Sequence, residues 1–93
     1  MRPTLRQLQY IVAVADCGRF HEAARRLHVS QPSLSTQLAE AELDLGVTIF
    51  ERGRNGATPT PVGAEIIRQS RRILTEVEEL RTLALGGKQT IAG

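Results

Sequence analysis

The sequence predicts a mainly α-helical fold: three short helices, a β-hairpin and one long terminal helix. Three observations carry that expectation. Leu34, Leu38, Ala41 and Leu45 recur at steps of four, three and four behind Ser30, one stripe of a helix that starts at a good cap. Val47–Arg52 mixes β-branched and aromatic residues and runs into Gly53-Arg54-Asn55-Gly56, the pattern of a strand and its turn. Ile66, Ser70, Ile73, Val77, Leu80 and Ala84 then hold a heptad-like stripe.

Each element has its own start and stop signals. The first helix is expected from about Thr4 to Cys17, capped by Thr4 and ended by Gly18. Its buried stripe is read as Leu5, Leu8, Val12 and Ala15, with Ile11 beside it. Phe20–Leu27 is a second, short helix, with His21 at its N-cap. Small Ala23 and Ala24 let a neighbouring helix approach closely. Arg25 and Arg26 fall on its outer side, as a solvated face or as phosphate contacts.

His28-Val29-Ser30 is a tight turn into the third helix, residues 31–45. Pro32 sits in its first turn, where a missing N–H breaks no helical bond, and Gly46 stops it. Its outer face offers hydroxyls and amides and carries no charge until Glu40. Two helices joined by so short a turn, the second with an uncharged polar N-terminus, form the helix-turn-helix pattern. There the second helix meets base edges in the DNA major groove.

Residues 49–58 form the hairpin, or wing, with Pro59 confining its returning strand to an edge. Arg52 and Arg54 at its tip either reach a minor groove or phosphates, or are simply exposed. Thr60 and Pro61 open the last helix as N-cap and first residue. It is expected to run to about Leu85 and to stop at Gly86-Gly87-Lys88. Gln89–Gly93 then reads either as the opening of a strand or as a tail. A helix of roughly 25 residues, about 37 Å long, is too long to bury its stripe on a domain of this size, so a second copy is the expected partner. The expected dimer residues are Ile66, Ile67, Ser70, Ile73, Leu74, Val77, Leu80 and Leu83.

Composition bounds the function. Ninety-three residues, 41% hydrophobic and 24% charged, make one small globular domain. A net charge of +2 and a pI near 9.3 permit a nucleic-acid partner without demanding one. Only Tyr10, Phe20 and Phe50 are aromatic, too few for a binder that stacks single-stranded bases. The single Cys17 excludes an internal disulfide. His21 and His28 have no partner at zinc-ligand spacing, so no metal site is expected. No nucleophile–base pair or paired carboxylates stand out, so no catalytic residue is assigned and an enzyme is not expected. No signal-peptide core or membrane span is present in these residues, and a cytoplasmic protein is expected.

The residues then resemble a known family. Leu5–Ala15 looks like the first helix of LysR-type transcriptional regulators. So do Phe20…Ala23-Ala24…Leu27-His28-Val29-Ser30-Gln31-Pro32-Ser33-Leu34-Ser35…Gln37, Glu42…Leu45-Gly46…Ile49-Phe50-Glu51-Arg52, and Thr60…Gly63. The resemblance covers nearly the whole chain. It implies a winged helix-turn-helix over residues 1–60 and a linker and dimerisation helix over 61–86. It also implies a hinge and the start of a C-terminal effector domain over 87–93. Base contacts are implied at Gln31, Pro32, Ser33, Ser35 and Thr36, and phosphate or minor-groove contacts at Arg25, Arg26, Gln37, Arg52 and Arg54. The implied partners are double-stranded DNA with a dyad operator and a second copy of the chain, with a tetramer in a full-length protein. No cofactor is expected in these residues; a small-molecule effector is expected in the C-terminal domain. Thr36 stands where the family often has arginine, and Ala39-Glu40 where it often has a basic pair. An arginine–guanine contact is therefore not expected at position 36.

Overall fold

The computed structural model describes residues 1–92, with side chains through Gly86. The chain runs α1 (Leu5–Cys17), α2 (Phe20–Leu27), α3 (Gln31–Leu45), β1 (Phe50–Gly53), β2 (Gly56–Pro59) and α4 (Pro61–Ala92). Local chemistry sets most of these bounds. Thr4 Oγ1 accepts the Gln7 N–H at 3.1 Å while Gln7 Oε1 accepts the Thr4 N–H at 3.0 Å, a reciprocal cap on α1. Gly18 ends α1 in the left-handed region at φ 75°. Ser30 Oγ accepts the Ser33 N–H at 3.2 Å to open α3. Thr60 Oγ1 accepts the Gly63 N–H at 2.9 Å to open α4.

Two expectations about α1 and α2 need correction. The predicted stripe of α1 is only partly its buried face: Leu8 and Ile11 are buried, but Leu5 is 48% exposed and Val12 and Ala15 are half-buried. Gln7, Tyr10, Ala13 and Val14 are buried with them. The reason is position. α1 packs against α2, α3 and α4 and also touches β2, so it buries a broad arc, and the predicted stripe lies along one edge of it. In α2, Arg19 rather than His21 is the N-cap, and its side chain makes no capping bond. Helix entry at Phe20 follows from burial of that ring, which anchors α2 without a polar cap.

α3 buries Leu34, Leu38 and Ala41, whereas Leu45 is 39% exposed, because the predicted stripe outlasts the neighbour it packs on. β1 and β2 pair antiparallel, Phe50 opposite Pro59 and Gly53 opposite Gly56. Val47 and Thr48, expected in the strand, belong to the loop before it. The tip end of the wing is fastened to the turn after α1 by a 2.8 Å bond from the Ala57 N–H to the Gly18 carbonyl. Gly56 makes that approach possible: at φ 111°, a Cβ there would overlap Gly18 O. Gly63 serves the start of α4 in the same way, since a Cβ there would strike Ile49 O.

The core joins Leu8, Ile11 and Val14 of α1 to Phe20, Leu34, Leu38, Ile49, Phe50 and Ile67. The fourth helix departs from expectation at its far end. It continues through Gly86-Gly87-Lys88 to Ala92, so neither the break nor a strand over 89–92 is present. Glycine in a helix interior costs only about 1 kcal/mol relative to alanine, a penalty rather than a stop. The last residue of that expectation, Gly93, lies outside the described residues.

Candidate nucleic-acid interface

The first two turns of α3 carry the polar face. Gln31, Pro32, Ser33 and Thr36 are all exposed there. Leu34 and Leu38, fully buried on the opposite face, hold the helix against the core and turn those side chains outward. Ser35 is half-buried and already engaged: its Oγ accepts a hydrogen bond of 3.2 Å from Arg52 Nη2 of β1.

That bond ties Ser35 to a three-residue stack. The Arg52 guanidinium lies over the Phe20 ring, 3.6 Å from its centroid. Phe20 in turn meets Phe50 edge to face, with centroids 6.3 Å apart and planes at 81°. A cation held over an aromatic face and tied to a hydroxyl keeps few rotamers, so wing and α3 present a preset charge. Arg52 and Arg54 are exposed. Together with Gln31 they line a shallow cleft of about 210 Å³ whose other walls are Arg19, Phe20, His21, Gly53 and Gly56. The structure thus gathers Gln31, Arg52 and Arg54 at one place.

The remaining predicted phosphate contacts lie elsewhere. Arg25 and Arg26 line a different cleft with Cys17 and Glu22. Arg26 is 3.9 Å from Asp16 Oδ2, and Asp16 Oδ1 accepts a 2.7 Å bond from Arg71 Nη2 of α4. Gln37 is half-buried and its Oε1 accepts from Gln7 Nε2 at 3.2 Å, which ties α3 to the cap of α1. The acidic end of α3 is kept apart from the polar face: Glu40 and Asp44 lie 3.7 and 3.6 Å from Arg2.

Several residues that build this surface were not singled out from the sequence. Glu42 Oε2 accepts the Ile49 N–H at 2.7 Å and the Phe50 N–H at 3.3 Å, fixing the chain as it enters the wing. Its acceptor role had no signal, because the donors are backbone groups in a loop. Phe20 and Phe50 were visible as two of only three aromatics, but nothing local says that they meet. Gln7 carried one signal, its place three residues after Thr4 in a Thr-x-x-Gln capping pattern.

The predicted dimer residues divide. Ile67 is 7% and Ser70 1% exposed within the single chain, and Ser70 Oγ donates to Ile66 O at 2.7 Å. They are packed against the chain's own core. The cause is that the first turns of α4 lie on α1. Ile66, Ile73, Leu74 and Val77 are half-buried. Leu80 and Leu83 are 66% and 73% exposed and extend beyond the core. Met1, Pro3, Leu5, Leu8 and Ile73, with Arg2 and Thr4, line an apolar groove of about 520 Å³.

Comparison with known proteins fits this arrangement. A family model described as a bacterial regulatory helix-turn-helix protein, lysR family, matches residues 5–64. Over 91 residues the chain is 45% identical to a small neutral protease regulatory protein of Streptomyces coelicolor, covering 94% of this chain and 28% of that protein. It is 44% identical over 81 residues to the HTH-type transcriptional regulator ClcR of Pseudomonas putida, covering 85% of this chain and 28% of that one. The chain therefore spans little more than a quarter of the length of these curated relatives. Among solved structures, a CbnR_DBD–DNA complex superposes with a TM-score of 0.86 at 38% identity, over 90% of this chain and 97% of that one. A complex of BenM_DBD with benA site 1 DNA gives a TM-score of 0.84 at 33% identity, over 87% and 91% of the two chains.

Proposed function

Because the chain belongs to the LysR family of bacterial helix-turn-helix regulators and is a DNA-binding domain of that type, we propose that it reads a specific double-stranded DNA sequence as a homodimer. In this reading the first turns of α3 enter the major groove. Gln31 and Thr36 hydrogen-bond base edges, Pro32 meets a thymine methyl, and Ser33 lies beside them. The carrying observation is the set of exposed, uncharged side chains Gln31, Pro32, Ser33 and Thr36, held outward by buried Leu34 and Leu38 next to a cleft of arginines.

The wing supplies affinity. Arg52, preset by Phe20 and Ser35, takes a backbone phosphate, and Arg54 takes a phosphate or the minor groove. Ser35 then acts first as a positioning residue for Arg52 and only secondarily on DNA. Arg25 and Arg26 are proposed as a separate phosphate contact. Gln37, held by Gln7, sets the tilt of α3.

Dimerisation is proposed through the exposed part of α4, with Val77, Leu80 and Leu83 at its centre and Ile66, Ile73 and Leu74 along its edge. Two copies then face half-sites about one helical turn apart, or a multiple of it. In a longer protein this dimer would be half of a tetramer. A small-molecule effector would act outside residues 1–86. Cytoplasmic location and a non-enzymatic role are proposed from the transcriptional regulators among its relatives. Among the described residues no helix is long and apolar enough to cross a membrane.

The test is selection of duplexes from a random pool, followed by fluorescence-anisotropy titration against salt. The expected result is an enriched dyad sequence bound at least about 10³-fold tighter than unselected duplex, with affinity falling steeply as salt rises. Equal affinity for all duplexes, or no binding, overturns the proposal.

A further inference from the structure

The cleft between α2 and the wing holds more cationic groups than a wing contact requires. Its lining brings Arg19 and His21 beside Arg52 and Arg54, and no carboxylate lines it. Arg52 is tethered to Phe20 and Ser35. Arg19 and Arg54 form no ion pair with a described residue. The stem of Arg19 passes Gly56 at the tip end of the wing, its Cγ 3.2 Å from where a Cβ would be. Gln31, the first residue of α3, closes the same cleft. A duplex whose major groove receives α3 must run its flanking backbone past this opening.

We propose that Arg19 and His21 join Arg54 in a clamp for one phosphodiester of the DNA backbone, and that His21 makes its grip pH-dependent. This rests on the DNA-binding reading above and assigns two residues to it that neither the helix pattern nor the wing pattern indicated. The chemistry follows from the groups. Guanidinium offers paired N–H donors to phosphate oxygens. An imidazole can donate from one nitrogen when neutral, and it adds a full charge when protonated, a change that histidine ordinarily makes near neutral pH. The residues that line the cleft with His21 include Arg19, Arg52 and Arg54 together with neutral Gln31. On its own helix, Glu22 and Arg25 line the neighbouring cleft with Cys17 and Arg26. A phosphate held against His21 favours the charged form of the imidazole. DNA binding therefore takes up a proton at His21, and affinity rises as pH falls.

The experiment is anisotropy titration of the 93-residue chain with a selected duplex, at pH 6 and pH 8, across a salt series. Wild type is expected to bind roughly five- to tenfold tighter at pH 6. His21→Gln is expected to abolish most of that difference, while His21→Arg keeps the tight binding at pH 8. Arg19→Ala is expected to lower the slope of log affinity against log salt by about 0.9, the value of one neutralised phosphate. His28→Asn, at the left-handed C-cap of α2 and outside the cleft, keeps the wild-type pH response. Both cleft residues are exposed, and a circular-dichroism melt checks that each variant is folded. Wild-type binding with an unchanged pH response in His21→Gln and an unchanged slope in Arg19→Ala overturns the clamp and leaves DNA binding standing. Absence of DNA binding by wild type overturns both.

Discussion

The Glu42 carboxylate accepts two backbone N–H groups, from Ile49 and Phe50, at the point where the chain leaves the loop and becomes the wing. Both donors belong to buried residues, Ile49 at 0% and Phe50 at 5% exposure, so water does not readily replace the acceptor. Bonds to a charged acceptor are worth more than neutral ones, and buried donors left unpaired are costly. Glu42→Ala is expected to destabilise the domain by about 2 kcal/mol. For a domain of this size that lowers Tm by roughly 8–16 °C, read by circular-dichroism melting. A Tm within about 2 °C of wild type would mean that the loop does not depend on Glu42. The same scale explains Gln7. Its buried amide caps α1 with Oε1 and reaches Gln37 with Nε2, so one side chain serves the start of one helix and the position of another.

At the scale of elements, the wing and α3 are coupled by the bond from Arg52 to Ser35 and by the Arg52–Phe20–Phe50 stack. Ser35 was expected to touch DNA itself, and its hydroxyl already accepts a hydrogen bond from Arg52. If it acts through Arg52, the losses in DNA affinity from Ser35→Ala and Arg52→Ala are not additive. A double-mutant cycle by anisotropy is expected to return a coupling of about 0.5 kcal/mol or more. Additivity within about 0.3 kcal/mol would instead make Ser35 an independent DNA contact. The bounds of α3 were legible because Ser30 and Gly46 mark them within one turn of each end. The burial of α1 was not, because α3, β2 and α4, which pack on it together with α2, come from more distant parts of the chain.

For the whole molecule, α4 has two jobs along its length. Its first turns complete the domain core through Ile67 and Ser70, and its later turns carry exposed Leu80 and Leu83 past that core. A heptad-like stripe has the same appearance whether its partner is the chain's own α1 or another copy, so the sequence pattern alone could not divide it. Leu80→Glu combined with Leu83→Glu is expected to convert a dimer to a monomer by sedimentation equilibrium. Because both side chains are exposed in the single chain, the monomer's stability is expected to change by no more than about 0.5 kcal/mol. Affinity for a dyad duplex should then fall towards that for a single half-site. A dimer that persists would place the interface elsewhere, for instance at the apolar groove around Met1, Leu5 and Ile73.

Sequence alone determined the order of the elements, the bounds of α3, the hairpin and the polar outer face of Gln31–Thr36. Each of these depends on groups within about four residues of one another: a cap hydroxyl, a left-handed glycine, a turn, a helical repeat. Tertiary structure alone decided which face of α1 is buried and that Ile67 and Ser70 belong to the core. It also decided that Gln37 is tied to Gln7, and that Arg19 and His21 share a cleft with the wing arginines. Those outcomes depend on segments brought together from distant parts of the chain. Burial and charge are set by what a residue ends up facing, and periodicity names a face without naming its neighbour.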